Sequence, residues 1–259
     1  NSDNKYGGML TLKQGLAQSK NTITTYLMKQ IGPGPVIELA RKMGVKSEIP
    51  MQPSIALGTV DLSVYEMVGT YTTFANKGIY TEPIMVTRIE DKNGVVLDEF
   101  IPQTNEVMTE EDAYIVANLL KGVTQSGTGV RLRTSGANYT DNHVTGYPYK
   151  FTNPIAGKTG TTQSNADGWF MGMVPNLITG VWTGCEDRSA HFGATMYGQG
   201  ATTALPVWAL FMRKCYANEK LGISIADFER PEGEMTIDLN CDNYNGEADE
   251  AGETTEPEF

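Results

Sequence analysis

A cation, two hydroxyls and a glycine close a short apolar run at Ile155-Ala156-Gly157-Lys158-Thr159-Gly160-Thr161. Lys158 brings a compact positive charge with three hydrogen-bond donors. Thr159 and Thr161 are two apart, so their side chains leave a strand on the same side. Gly160 leaves the backbone open to a ligand. The run predicts a strand edge that pairs with an extended peptide and holds its carboxylate, although an ordinary strand ending in a turn explains the triplet equally well.

A second polar triplet, Ser19-Lys20-Asn21, interrupts a stretch with helical spacing. Thr11 and Gln14 form a capping-box pattern that begins a helix. In an unbroken helix, residues two apart point about 200° apart, so Ser19 and Asn21 would not face one site. Two interpretations stay open from the pattern alone. Either one continuous helix carries polar residues on its surface, or two helices meet at a short break.

Composition limits the possible functions. The chain has 259 residues and a net charge of −11, so nucleic acid is not an expected partner. It contains no apolar run long enough to span a bilayer. Its three cysteines are too few for a disulfide framework. Without a Cys-x-x-Cys pair or clustered histidines, we expect neither a metal nor an organic cofactor.

The order of the predicted elements indicates the fold class. Helices with start signals at Thr11, Ser63 and Thr109 dominate the first half, and Asn93-Gly94 predicts a hairpin between them. Short strands are expected over 155–160, 168–174 and 177–184, followed by a helix within 204–216. This arrangement predicts an α+β fold, an antiparallel sheet with helices packed on its faces. We expect one domain over 1–228 and an acidic, disordered tail over 229–259.

Several landmarks, in the family's order over residues 1–213, resemble the transpeptidase domain of class A (bifunctional) penicillin-binding proteins. They are the helix leading into Ser19-Lys20-Asn21, Ala56-Leu57-Gly58, Tyr71 to Gly78, Lys158-Thr159-Gly160-Thr161-Thr162, and Gly198-Gln199-Gly200-Ala201 with the helix after it. The resemblance implies a β-lactamase/transpeptidase-like fold. It also implies that the chain breaks between two helices at Ser19.

The resemblance also implies catalytic roles for three residues. The family is a D,D-transpeptidase that cross-links peptidoglycan, so Ser19 would relay a proton to the leaving nitrogen. Asn21 would hold the amide of the donor stem peptide. Lys158 would supply positive potential and keep Ser19 hydrogen bonded. Stem peptides and the lipid-linked precursor would be substrates, and β-lactams would be covalent inhibitors.

The residues that follow Lys158 would bind the substrate. By resemblance, Thr159 and Thr161 would bind the terminal carboxylate of the donor, with Gly160 between them. The backbone N–H of Thr161 would be one oxyanion donor. The family's fold also carries serine β-lactamases and penicillin sensors, which remain an alternative function. Another alternative is a non-catalytic fragment that binds peptidoglycan.

The family's Ser-x-x-Lys motif, which supplies the nucleophile, has one literal match at Ser2-Asp3-Asn4-Lys5. That match is polar and lies too close to Ser19, so we reject it. We therefore expect the nucleophile in an upstream part of the same protein, together with a glycosyltransferase domain and a membrane anchor. The resemblance places the whole protein at the bacterial inner membrane, facing the periplasm.

Overall fold

The computed structural model describes residues 9–133 and 149–240. The helices in these ranges are α1 (Leu12–Ala17), α2 (Asn21–Ile31), α3 (Pro33–Lys42), α4 (Val64–Ala75), α5 (Glu110–Gln125), α6 (Thr195–Gly198) and α7 (Ala204–Ala217). The strands are β1 (Ile79–Thr81), β2 (Arg88–Glu90), β3 (Val96–Glu99), β4 (Thr104–Glu106), β5 (Ala156–Thr161), β6 (Gly168–Val174) and β7 (Leu177–Thr183).

A three-stranded antiparallel sheet in the order β5-β6-β7 forms the centre of the fold. All three strands lie where the sequence predicts them, and the connection Pro175-Asn176 joins β6 to β7. The strands β2 and β3 form the hairpin predicted at Asn93-Gly94, and β1 pairs with β4 in a second small ribbon. The predicted α+β fold with an antiparallel sheet is confirmed.

Helices cover both faces of this sheet because β6 is apolar on both sides. Phe170 and Val174 pack in one core cluster with Trp208 of α7. Met171 and Met173 alternate with them and belong to a second cluster, which α4 and α5 cover. A strand buried on both faces reads as a continuous apolar run, as β6 does.

Trp208 needs a glycine opposite it. A Cβ atom added at Gly172 would lie 2.4 Å from the Trp208 ring, so only glycine lets α7 approach the sheet this closely. The indole also meets Phe170 edge to face, with the ring centroids 5.1 Å apart. This contact sets the distance between α7 and the strand that pairs with β5.

The helix start signals are confirmed at three positions. Thr11 and Ser63 each form a capping box, and the Thr109 side chain accepts a hydrogen bond from the third residue of α5. The helix α3 begins at Pro33, which takes the first helical position. Proline tolerates the first helical position, since its missing N–H has no partner there in any case.

After α7 the chain runs across α5 as an irregular segment. Lys121 of α5 is buried and pairs with Asp227 at 2.8 Å, and Glu111 accepts hydrogen bonds from Thr236. The domain boundary at 228 stays a prediction. Residues 241–259 and the rejected match at residues 2–5 lie outside the described part of the chain. Among the described helices, none is long and apolar enough to cross a bilayer.

Candidate active site

The chain breaks between α1 and α2 at Ser19. Its φ of 54° lies in the left-handed region, which favours glycine. Ser19 N donates to Leu16 O at 3.0 Å, and Lys20 N donates to Gly15 O at 2.9 Å. This pair of bonds is a Schellman motif with serine in the position that glycine normally takes. The interpretation as one continuous helix is therefore wrong, and the two-helix interpretation is correct.

Lys158 reaches across to this break. Its Nζ donates to Ser19 Oγ at 2.8 Å and to the carbonyl of Thr159 at 2.9 Å. Lys158 lies opposite Met171 in the sheet, and Met171 belongs to the cluster under α4 and α5. Directly opposed residues share a face, so the lysine projects on the side of the sheet where these helices pack. Since the ammonium only donates, the Ser19 hydroxyl keeps its own proton for another partner.

Burial lowers the pKa of Lys158 to about 8, because desolvation disfavours the charged ammonium. The charged form is therefore present below about pH 8 and is lost as the pH rises through that value. Only the charged ammonium attracts a carboxylate, so that role of Lys158, which the family resemblance implies, requires the charged form. A second-order rate that depends on Lys158 reports the free protein, so its pH profile contains this ionisation.

The resemblance to penicillin-binding proteins implies acylation by benzylpenicillin, and in the full-length parent protein we expect the second-order rate of that reaction to fall above about pH 8. Stopped-flow acylation over a pH series measures it. Lys158→Arg keeps a charge at all accessible pH values, so this alkaline fall disappears even if the rate is lower throughout. A fall at the same pH in the arginine variant would show that another group titrates.

The hydroxyls of β5 lie in different surroundings. Thr159 is only 9% exposed, and its Oγ1 lies 2.6 Å from Thr128 Oγ1. Thr161 is exposed, and its Oγ1 accepts a hydrogen bond from Gly200 N at 3.0 Å. Among the described strands, β5 is at the outside of the sheet, where strand-addition recognition of a peptide takes place in proteins that use it.

Gly160 serves the packing of the site as well as its access. A Cβ atom there would lie 2.9 Å from Trp169 Cβ. A Cβ on Gly200 would lie 2.3 Å from the Gly160 carbonyl oxygen. These two glycines let the turn before α7 lie directly on β5, where Gly200 meets Thr161.

Asn21 is the first residue of α2 and is exposed. It lines one end of a surface groove of about 470 Å³, together with side chains of α2 and of the turn after α3. These other lining residues are Thr22, Thr25, Tyr26, Lys29 and Leu57. The lining residues of α2 run from Asn21 to Lys29, so Asn21 lies at the end of the groove nearest to Ser19 in the chain.

A buried carboxylate fixes the turn that follows β5. Asp167 is 5% exposed, and its Oδ1 accepts a hydrogen bond from Trp182 Nε1 at 3.0 Å. Its Oδ2 accepts from the hydroxyl of Thr162 at 3.1 Å and lies 3.5 Å from the Arg188 guanidinium. No sequence pattern indicated a role for Asp167. The signal was weak, because its partners are distant in the sequence except Thr162.

Comparison with known proteins identifies the family. Residues 1–183 match the family model for the penicillin-binding protein transpeptidase domain. The chain belongs to this family. The resemblance drawn from the motifs is confirmed, since the penicillin-binding protein match covers more than half of the chain.

The relatives of this penicillin-binding protein domain are considerably longer. Penicillin-binding protein 1A of Aquifex aeolicus is 33% identical over 243 residues, which are 93% of this chain and 30% of that protein. Penicillin-binding protein 1A of Neisseria lactamica is 32% identical over 219 residues, or 82% of this chain and 25% of that protein. The chain therefore spans between a quarter and a third of these relatives.

Solved penicillin-binding proteins share the fold. Penicillin-binding protein 1A from Haemophilus influenzae superposes with a TM-score of 0.71 at 24% identity, covering 92% of this chain and 37% of that one. PonA1 from Mycobacterium tuberculosis, solved in complex with penicillin V, gives a TM-score of 0.70 at 23% identity. That match covers 90% of this chain and 62% of PonA1.

Proposed function

We propose that this chain supplies the proton-relay and carboxylate-binding part of a peptidoglycan D,D-transpeptidase. One observation carries the proposal. The Lys158 ammonium donates to the Ser19 hydroxyl at 2.8 Å, although 139 positions separate the two residues. Two polar triplets that the sequence links only by resemblance are therefore adjacent in the fold, with the outer strand β5 beside them, which supports a shared site.

The acylation step divides between this chain and an upstream serine. The serine Oγ forms an ester bond with the carbonyl carbon of the penultimate D-alanine, and the bond from that carbon to the nitrogen of the terminal D-alanine breaks. The serine proton passes to Ser19, whose own proton goes to the leaving nitrogen. Ser19 can do this because a hydroxyl both donates and accepts. The Lys158 contact holds Ser19 in place during the transfer.

The remaining site residues bind and polarise the donor peptide. Thr159 and Thr161 hold its terminal carboxylate, and the Lys158 charge attracts that carboxylate. The backbone N–H of Thr161 stabilises the oxyanion. Gly160 keeps this part of β5 free of a side chain. Asn21 binds the donor amide from the start of α2, beside the groove along that helix.

The upstream part of the same protein completes the domain under this proposal. Two surfaces of the described chain support it. The outer edge of β7 has no paired strand among the described residues. On α7, Val207, Leu210 and Phe211 are each about half exposed, which is unusual for neighbouring large apolar side chains. The upstream part also contains the Ser-x-x-Lys nucleophile and a glycosyltransferase domain that uses the lipid-linked precursor. Its membrane anchor holds the protein at the inner membrane, on the periplasmic side.

Intact mass spectrometry with benzylpenicillin tests the proposal. We expect one penicilloyl adduct on the full-length parent protein and none on this chain alone. The penicilloyl adduct should live much longer than the acyl-enzyme of a β-lactamase, because a transpeptidase excludes water from the ester. Rapid loss of the adduct would favour the β-lactamase alternative. No adduct on the folded parent would overturn the proposal and favour a non-catalytic peptidoglycan-binding role.

A further inference from the structure

The short segment after α5 connects the two halves of the site. Gly127 lies so close to the end of α1 that an added Cβ would be 2.1 Å from the Ala17 carbonyl oxygen. Thr128 N donates to this same carbonyl at 3.0 Å. Carbonyls in the last turn of a helix lack intrahelical partners, so this bond satisfies one of them. The segment is thereby fixed two residues before Ser19.

Thr128 also touches the carboxylate-binding strand. Its Oγ1 lies 2.6 Å from Thr159 Oγ1, a normal distance for a hydrogen bond between hydroxyls. Either oxygen can be the donor. Thr159 is 9% exposed, which leaves little room for water to take over this contact. Thr128 therefore links the end of α1 to β5, beside the direct contact between Lys158 and Ser19.

The number of protons on these two hydroxyls determines their roles when a ligand binds. Each hydroxyl carries one hydrogen and can accept two hydrogen bonds. A carboxylate only accepts, so Thr159 must direct its single hydrogen toward it. Thr159 can then keep its bond to Thr128 only by accepting the hydrogen of Thr128. The Thr128 backbone is fixed to Ala17, so its hydroxyl approaches Thr159 from a constant direction.

From this geometry we propose that Thr128 is a positioning residue for the carboxylate site. Its hydroxyl donates to Thr159 Oγ1 and so orients the Thr159 hydrogen toward the carboxylate of the donor peptide or of a β-lactam. The inference rests on the proposed function, since it concerns the same site. It predicts that Thr128 affects only ligands that carry the carboxylate.

The test compares benzylpenicillin with its methyl ester in the full-length parent protein. The ester keeps the reactive ring and removes the negative charge. In Thr128→Val, which keeps the side-chain shape, we expect the second-order acylation rate to fall about tenfold for benzylpenicillin and less than about twofold for the ester. The fall for the acid is that expected when one intramolecular hydrogen bond, the one that orients Thr159, is lost. The preference for the acid over the ester therefore falls several-fold.

Two further variants separate positioning from folding. Thr128→Ser keeps the hydroxyl and should restore the preference for the acid. Ser126→Ala is a matched control, because the Ser126 hydroxyl lies in the same segment and donates to Gly122 O at 3.5 Å, within its own helix end. It should leave both rates unchanged.

The outcomes distinguish this inference from the proposed function. If the wild-type parent is not acylated at all, the proposed function fails. If the wild type prefers the acid and Thr128→Val keeps the full preference, only the positioning role of Thr128 is wrong. Equal losses for acid and ester in Thr128→Val, not restored by Thr128→Ser, would show a structural role and also overturn the inference.

Discussion

Lys158→Met in the full-length parent protein should lower the acylation rate by benzylpenicillin by roughly 10²–10³-fold, the loss seen when one preorganised catalytic donor is removed. Methionine has a similar length and no charge. The variant loses the hydrogen bond that Lys158 Nζ donates to Ser19 Oγ at 2.8 Å in the wild-type chain. It also loses the positive potential at the carboxylate. Competition with a fluorescent penicillin measures the rate.

The control for this variant lies on the other side of the sheet. Lys214 is exposed in the last turn of α7, so Lys214→Met removes one charge from the protein without changing the site. Its acylation rate should match that of the wild type. A Lys158→Met protein that keeps its far-ultraviolet circular dichroism and is acylated at the normal rate would remove Lys158 from the mechanism.

Trp208→Ala should lower the free energy of unfolding by about 3–5 kcal/mol, the usual cost of truncating a large buried aromatic side chain. Trp208 is fully buried and fills the space above Gly172, against Phe170. Gly172 lies opposite Trp208 and has no side chain, so β6 offers nothing at this position that could fill the cavity. Urea unfolding followed by circular dichroism measures the change.

The adjacent residue provides the comparison for Trp208. Val207 is 52% exposed on the same helix, so Val207→Ala should change stability by no more than about 0.5 kcal/mol. Similar losses in the two variants would mean that α7 is stabilised by its outer face and not by the contact with β6. We expect the two to differ several-fold.

Local rules were sufficient for most of the elements. The side chains of Thr11, Ser63 and Thr109 cap their helices as the sequence predicts, because each cap bond joins residues only three positions apart. The three central strands also appear within a residue or two of expectation. Their apolar runs end at turns that any local pattern reveals, such as Pro175-Asn176.

The break at Ser19 was different, because periodicity favoured one continuous helix there. A left-handed residue at a helix end is normally glycine, and serine gives no such signal. In the folded chain, Ser19 is held from outside by Lys158, and the preceding Ala17 is held by Thr128. These contacts cross more than 100 positions of sequence, so only resemblance to a known family could indicate the break beforehand.

By itself, the sequence determined the α+β class, the positions of the helix caps and strands, and the residue types that serve the chemistry. Side-chain type and short-range spacing are sufficient for these. The tertiary structure alone decided that Ser19 and Lys158 meet, that Thr128 bonds to Thr159, and that Asp167 is buried at the turn after β5. Such contacts depend on how the helices pack on the sheet, and that packing is settled by the summed burial of many distant residues.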